Sequence, residues 1–186
     1  MNNRIKTALS ELFQRNAEIW QQEKGSLPEQ LFDPEWLSPC QVEKLDGQVV
    51  TWSPVERSEE TTLNNIEEAL EITLHPSIEE LYCSYYAGVL PCLFDGHPIE
   101  LIQVWNEEDF NLLQENMIAH FMMQKRLKKP ASMFIASCSD EMQIISILND
   151  TGEVQLETLG KKQEAILAPD LASFLDLLEP VISHED

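Results

Sequence analysis

The sequence predicts an α+β fold: a mixed, mainly antiparallel sheet covered by helices in a single domain spanning residues 1–186. Three observations predict it. Helical and strand patterns alternate irregularly, a hairpin signal stands in mid-chain at Asp95-Gly96-His97-Pro98, and no repeat, low-complexity tract or linker divides the chain. A doubly wound parallel fold needs regular strand–helix alternation, which is absent.

Residues 3–22 carry Ile5, Leu9, Leu12, Phe13 and Trp20 on a helical stripe, with Asn2 or Asn3 as a cap. Gly25, Pro28, Pro34 and Pro39 then impose an irregular segment into which Leu31, Phe32, Trp36 and Leu37 are expected to pack, and residues 48–52 form a short strand stopped by Pro54. A second helix, capped by Thr61 or Thr62 and running to about Leu74, places Leu63, Ile66, Leu70 and Leu74 on one face and turns Glu68 and Glu71 toward solvent. After Pro76 a short helical or irregular stretch carries Glu79, Glu80 and three tyrosines. Strands at 89–94 and 99–104 flank the hairpin turn. The longest helix runs over 106–128, with Phe110, Leu113, Met117 and Phe121 inward, Ile118 and Met122 beside them, and Glu108, Asn111 and Glu115 on the far side. Lys125, Arg126, Lys128 and Lys129 end it before Pro130; completing the helix dipole and solubility, or touching lipid headgroups, are the roles open to them. Strands follow at 133–136, 142–149 and 153–158, then a last helix opened by Pro169 and closed by Pro180.

Charge narrows the function. Against 33 Asp and Glu stand 12 Lys and Arg, a net charge of -21. Phosphate backbones and anionic headgroups recruit Lys and Arg, so the whole-molecule charge argues against nucleic-acid binding and against direct membrane adsorption. It favours a basic protein partner. The four cysteines lack a C-x-x-C pair and the N-terminus lacks the basic and apolar regions of an export signal, so a cytosolic chain with reduced, half-buried thiols is expected. No window approaches the ~20 apolar residues of a membrane span.

Catalytic chemistry finds little support. G-x-G-x-x-G, P-loop, H-E-x-x-H and G-x-S-x-G patterns are all missing. His75, His97, His120 and His184 lie far apart, and His75, Cys83, Cys92 and His97 match no ligand spacing, so neither metal nor cofactor is expected. The acidic segments are more informative. Glu56, Glu59, Glu60, Glu67, Glu68, Glu71, Glu79 and Glu80 share one stretch whose only base is Arg57, and Glu107, Glu108, Asp109 and Glu115 open the long helix. The positive end of a helix dipole accounts for the carboxylates of a first turn but not for Glu68, Glu71, Glu79, Glu80 or Glu115. These are expected to converge with Glu107 and Glu108 on one concave surface, with Tyr85 and Trp105 as aromatic anchors at its edge; core packing is the other role open to Trp105.

Several segments carry a family resemblance. Asn65-Ile66-Glu67-Glu68-Ala69-Leu70-Glu71-Ile72, Gln103-Val104-Trp105-Asn106-Glu107-Glu108-Asp109-Phe110, Leu113-Gln114-Glu115-Asn116-Met117-Ile118-Ala119-His120, Gln124-Lys125-Arg126-Leu127-Lys128 and Thr151-Gly152-Glu153-Val154 resemble the Syd proteins, in order and across nearly the whole chain. The resemblance implies a non-enzymatic partner of SecY, the channel subunit of the translocon. It also implies peripheral association, through SecY, with the cytoplasmic face of the inner membrane, and a role in checking or restraining translocon assembly. The wider superfamily includes toxin-immunity proteins, so neutralisation of a basic toxin is the alternative. Cytoplasmic loops of membrane proteins are rich in Lys and Arg, which suits an acidic surface.

Overall fold

The computed structural model describes residues 3–161 and 165–183. Helix α1 (Arg4–Lys24) buries Ala8, Leu9, Leu12 and Phe13 and ends where Gly25 takes a left-handed φ of 66°. Asn3 occupies its N-cap position without a side-chain hydrogen bond, and Asn2 lies outside the described residues. The proline-punctuated segment that follows contains more order than its composition suggests. Strands β1 (Glu29–Leu31), β2 (Gln41–Leu45) and β3 (Val49–Trp52) form a small antiparallel sheet in the order β1-β3-β2.

Strand β4 (Val55–Glu56) pairs with β5 (Tyr85–Tyr86), setting Glu56 opposite Tyr85 and Val55 opposite Tyr86. Between them lie α2 (Asn64–Leu70) and α3 (Pro76–Cys83). Helix α2 is shorter than its apolar spacing predicts because Glu71 adopts a left-handed φ of 53° and its amide donates to the Glu67 carbonyl. The Glu67 carboxylate then accepts from the Leu74 amide at 2.8 Å, fastening the turn. Neither Thr61 nor Thr62 caps α2: Leu63 holds the N-cap position, and its amide donates to the Glu79 carboxylate of α3 at 2.9 Å.

The main sheet comes next: β6 (Leu90–Phe94), β7 (His97–Leu101), β8 (Ser132–Cys138), β9 (Gln143–Leu148), β10 (Val154–Thr158), β11 (Ala165–Ala168) and β12 (Glu179–Pro180). All its pairings are antiparallel, in the order β11-β10-β9-β8-β7-β6-β12. The β6–β7 turn is only Asp95-Gly96, both at positive φ (48° and 78°), the two-residue turn whose twist matches a hairpin; His97 already pairs with Phe94. Pro180 does not simply end the last helix. It opposes Cys92 on an edge strand, where a missing amide costs least.

Helix α4 (Glu107–Arg126) crosses the long connection from β7 to β8. Asn106 caps it by accepting from the Asp109 amide at 2.8 Å, while Asp109 accepts from the Trp105 amide at 2.8 Å. Phe110, Leu113, Met117 and Phe121 are buried as their spacing predicts, and at roughly 1.5–3 kcal/mol each they hold α4 to the core. Met122 is exposed instead. Helix α5 (Leu171–Leu177) is capped by Asp170, whose carboxylate accepts from the Ser173 amide at 2.7 Å. One continuous apolar cluster joins α1, α3, α4, α5 and the sheet. Among the described residues no helix is long and apolar enough to cross a membrane.

Candidate partner-binding site

The lone base of the acidic stretch organises the site. Arg57 follows β4, and its side chain is only 2% exposed. Its guanidinium lies between the Tyr86 ring (4.4 Å) and the Phe110 ring (4.0 Å). It donates to the Tyr82 carbonyl at 3.1 Å and to the Glu107 carboxylate at 3.0 Å. Tyr86 donates its hydroxyl to the same Glu107 oxygen at 2.7 Å. Burial and the neighbouring Glu107 carboxylate both push the Tyr86 phenol upward, so it stays protonated and able to donate at neutral pH.

Around this cluster opens a hollow of ≈ 730 Å³, walled by β4 and the segment after it, by α2 through Asn65, and by the first turns of α4. Glu56 and Glu60 reach it from the end of β4 and the segment after it, and Glu107 from the start of α4, some fifty residues further along the chain. Asn65 donates to Gln114 at 2.5 Å, tying α2 to α4 across its floor. Glu56 is paired with Lys6 of α1, which raises the lysine pKa through that hydrogen bond, and Glu107 is paired with Arg57. The remaining acids are open: Glu59, Glu60, Glu68, Glu108 and Glu115 are exposed and form no ion pair among the described residues. Glu68 lies one helical turn from Asn65, and Glu115 adjoins Gln114, so both sit on the two helices that wall the hollow.

Of the sequence-nominated residues, then, Glu107 alone lines the hollow, while Glu68, Glu108 and Glu115 are exposed elsewhere on the helices that wall it. Glu71 terminates α2 at the end away from Asn65. Glu79 is half-buried and occupied by the Leu63 amide, a structural duty. Glu80, beside it, is half-buried, and burial first and the Glu79 charge second raise its pKa. Trp105 takes the core role: it is 5% exposed, meets Trp52 edge-on at 6.3 Å and donates its indole N–H to the Trp36 carbonyl. Tyr85 faces α1, with Phe13 edge-on at 5.3 Å and Lys6 over its ring. Neighbouring strand residues point to opposite faces, so the tyrosine at the hollow is Tyr86. Sequence reasoning missed Tyr86, Phe110 and Gln114 as lining residues, and placed Arg57, Glu56 and Glu60 in the acidic stretch without giving them a role. An isolated arginine among so many acids was the available signal.

The other chemistry-bearing side chains are dispersed. Cys83 and Cys92 are buried, with burial pushing both thiols up to about 12; His75 caps α3, and His97 is exposed in the hairpin. His184 lies outside the described residues. Among the described residues no three His, Cys, Asp or Glu side chains group to hold a metal.

Fold and site together define an α+β protein with an open, acid-rimmed hollow built over a buried arginine. Comparison with known sequences gives it a family. A sequence model described as Syd protein (SUKH-2) matches residues 6–180. Protein Syd of Psychromonas ingrahamii is 62% identical over 182 residues, covering 98% of this chain and 99% of the relative. Protein Syd of Yersinia pestis strain Pestoides F is 44% identical over 184 residues (98% and 99%), and that of Pectobacterium carotovorum 43% over 183 (97% and 99%). The chain belongs to the Syd family.

Proposed function

We propose that this chain acts by binding rather than catalysis: its hollow receives Lys/Arg-rich cytoplasmic loops of the SecY translocon subunit. Docked there, at the cytoplasmic face of the inner membrane, it monitors or negatively regulates translocon assembly. The observation that carries the reading is the convergence of Glu56 and Glu60 with Glu107, from segments about fifty residues apart, on a hollow that already holds an arginine. Arg57 exemplifies the chemistry: two aromatic faces sandwich the planar cation and a carboxylate closes its edge. An incoming arginine or lysine meets Glu60 unpaired in the hollow, with the unpaired Glu68, Glu108 and Glu115 on the walling helices adding to the local negative potential. Loops that obey the positive-inside rule supply such cations. Opposed potentials of this kind mainly raise the encounter rate and suppress wrong partners.

The test is capture of detergent-solubilised SecY on the immobilised protein across a salt series. Screened pairs weaken as the Debye length falls from ~30 Å at 0.01 M to ~8 Å at 0.15 M, so retention should drop steeply over that range. Capture indifferent to salt would refute electrostatic docking, and failure to retain SecY at low salt would refute the partner.

A further inference from the structure

The charge of this protein is divided along α4, and the end opposite the hollow has the opposite character. No Asp or Glu occurs between Glu115 and Asp140, although the chain holds 33 in 186 residues, and four of its 12 bases fall at Lys125, Arg126, Lys128 and Lys129. All four are exposed and none forms an ion pair among the described residues. The C-terminal end of the helix also exposes large apolar side chains: Met122 (55%), Met123 (49%) and, at the C-cap, Leu127 (57%). Two carboxylates come near this end. Glu157 accepts from Ser132 and Gln155, and Asp150 sits in the turn whose Asn149 amide donates to the Ala131 carbonyl.

We propose that the C-terminal turn of α4 is a membrane foot that rests on an anionic lipid surface, its bases on the headgroups and Met122, Met123 and Leu127 dipping toward the acyl boundary. Bases interleaved with unburied apolar side chains are the pattern of interfacial anchoring, in which each Lys or Arg near an anionic leaflet contributes and the apolar groups gain by leaving water. The apolar members favour lipid over nucleic acid, because a phosphodiester backbone would leave them in water. Net charge does not forbid the contact. From Glu108 to Arg126 the helix runs about 27 Å at ~1.5 Å per residue, some three Debye lengths at 0.15 M, so the acidic pole is screened from a surface touching the basic one. The foot would hold the hollow about that far above the bilayer, facing segments that project from it.

Co-sedimentation of the full chain with protein-free vesicles tests this apart from the hollow. At ~0.15 M salt, partition onto phosphatidylcholine vesicles containing phosphatidylglycerol should exceed partition onto pure phosphatidylcholine by roughly tenfold. The Lys125→Gln/Arg126→Gln/Lys128→Gln/Lys129→Gln variant should lose that preference, and Met122→Ser/Met123→Ser/Leu127→Ser should weaken binding to the anionic vesicles; every replaced side chain is exposed, so both variants should fold. Equal partition of the wild type onto the two vesicle types would overturn the proposal, as would unchanged binding by either variant. A gel shift with RNA in the absence of vesicle binding would assign the patch to phosphodiesters instead and overturn it too. Glu60→Lys/Glu108→Lys should leave vesicle binding undiminished, so failure of the hollow and failure of the foot are distinguishable.

Discussion

Replacing Arg57 with alanine removes a guanidinium that is 2% exposed, sandwiched between two rings and bonded to the Tyr82 carbonyl and Glu107. Stacking on two faces contributes roughly 1–3 kcal/mol together, the buried hydrogen bond from the charged donor to the Tyr82 carbonyl about 1.5 kcal/mol, and the bond to the exposed Glu107 carboxylate about 0.5 kcal/mol. The full 3–5 kcal/mol of a broken buried pair does not apply, because the surviving Glu107 side chain is 64% exposed and remains hydrated. We predict that Arg57→Ala costs about 3 kcal/mol. Arg57→Met fills the slot between Tyr86 and Phe110 with an apolar stem and buries no charge, and should cost only about 1 kcal/mol. Urea denaturation reads both: at an m-value of about 2 kcal/mol/M the alanine midpoint falls by ~1.5 M and the methionine midpoint by ~0.5 M. An alanine variant within ~0.5 kcal/mol of wild type, or a methionine variant as damaged as alanine, would refute the sandwich as a stabilising element. Arg57→Met also frees Glu107 and removes one positive charge from the hollow, so its affinity for a basic partner should rise by about 1 kcal/mol, roughly fivefold at low salt.

Asp170→Ala removes the α5 cap and should cost about 1 kcal/mol in chemical denaturation. The Ser173 amide holds the Asp170 carboxyl below its usual range, so this contribution is present above the unfolded-state value near 3.8, is lost as pH falls through the folded one, and the variant should converge on wild type in acid. Glu80→Gln has the opposite sign. Burial, then Glu79, raises the Glu80 pKa, so its charge costs stability at neutral pH, and the variant should melt higher at pH 7 with the gain vanishing as pH falls toward 4.5. Gly152→Ala should lower stability by 2 kcal/mol or more in urea titration, on the order expected for strain plus overpacking, because Gly152 sits at φ 78° and a Cβ there would strike the His75 ring.

What could be read without coordinates follows from how local each signal is. Helices α1 and α4 were legible because 21 and 20 residues repeat their apolar stripe several times. The β6–β7 hairpin was legible because Asp95-Gly96 supplies both left-handed positions in sequence. Strands β1, β4, β5 and β12 are two or three residues long and exist only through partners far along the chain, so no period announces them. The extent of α2 was misjudged for a similar reason: its apolar spacing continues to Leu74, but Glu71 and the Glu67 carboxylate turn the chain first. In the site, carboxylates were visible as a class while their duties were not. Glu79 looked like Glu108 until its partner, the Leu63 amide, was in place. Tyr85 and Tyr86 differ only by the parity of a two-residue strand, and that parity is set by pairing with Val55 and Glu56.

The central claim is that these carboxylates act by position and not merely by adding charge. Binding of SecY to the Glu60→Lys/Glu108→Lys variant, compared with Glu23→Lys/Glu43→Lys, tests it most directly. Both variants change net charge equally, and the second alters exposed acids on α1 and β2 that line neither wall of the hollow. The account predicts at least a tenfold loss of affinity for the first at low salt, about 1.4 kcal/mol, and little change for the second. Equal losses in the two variants, or none in either, would contradict it.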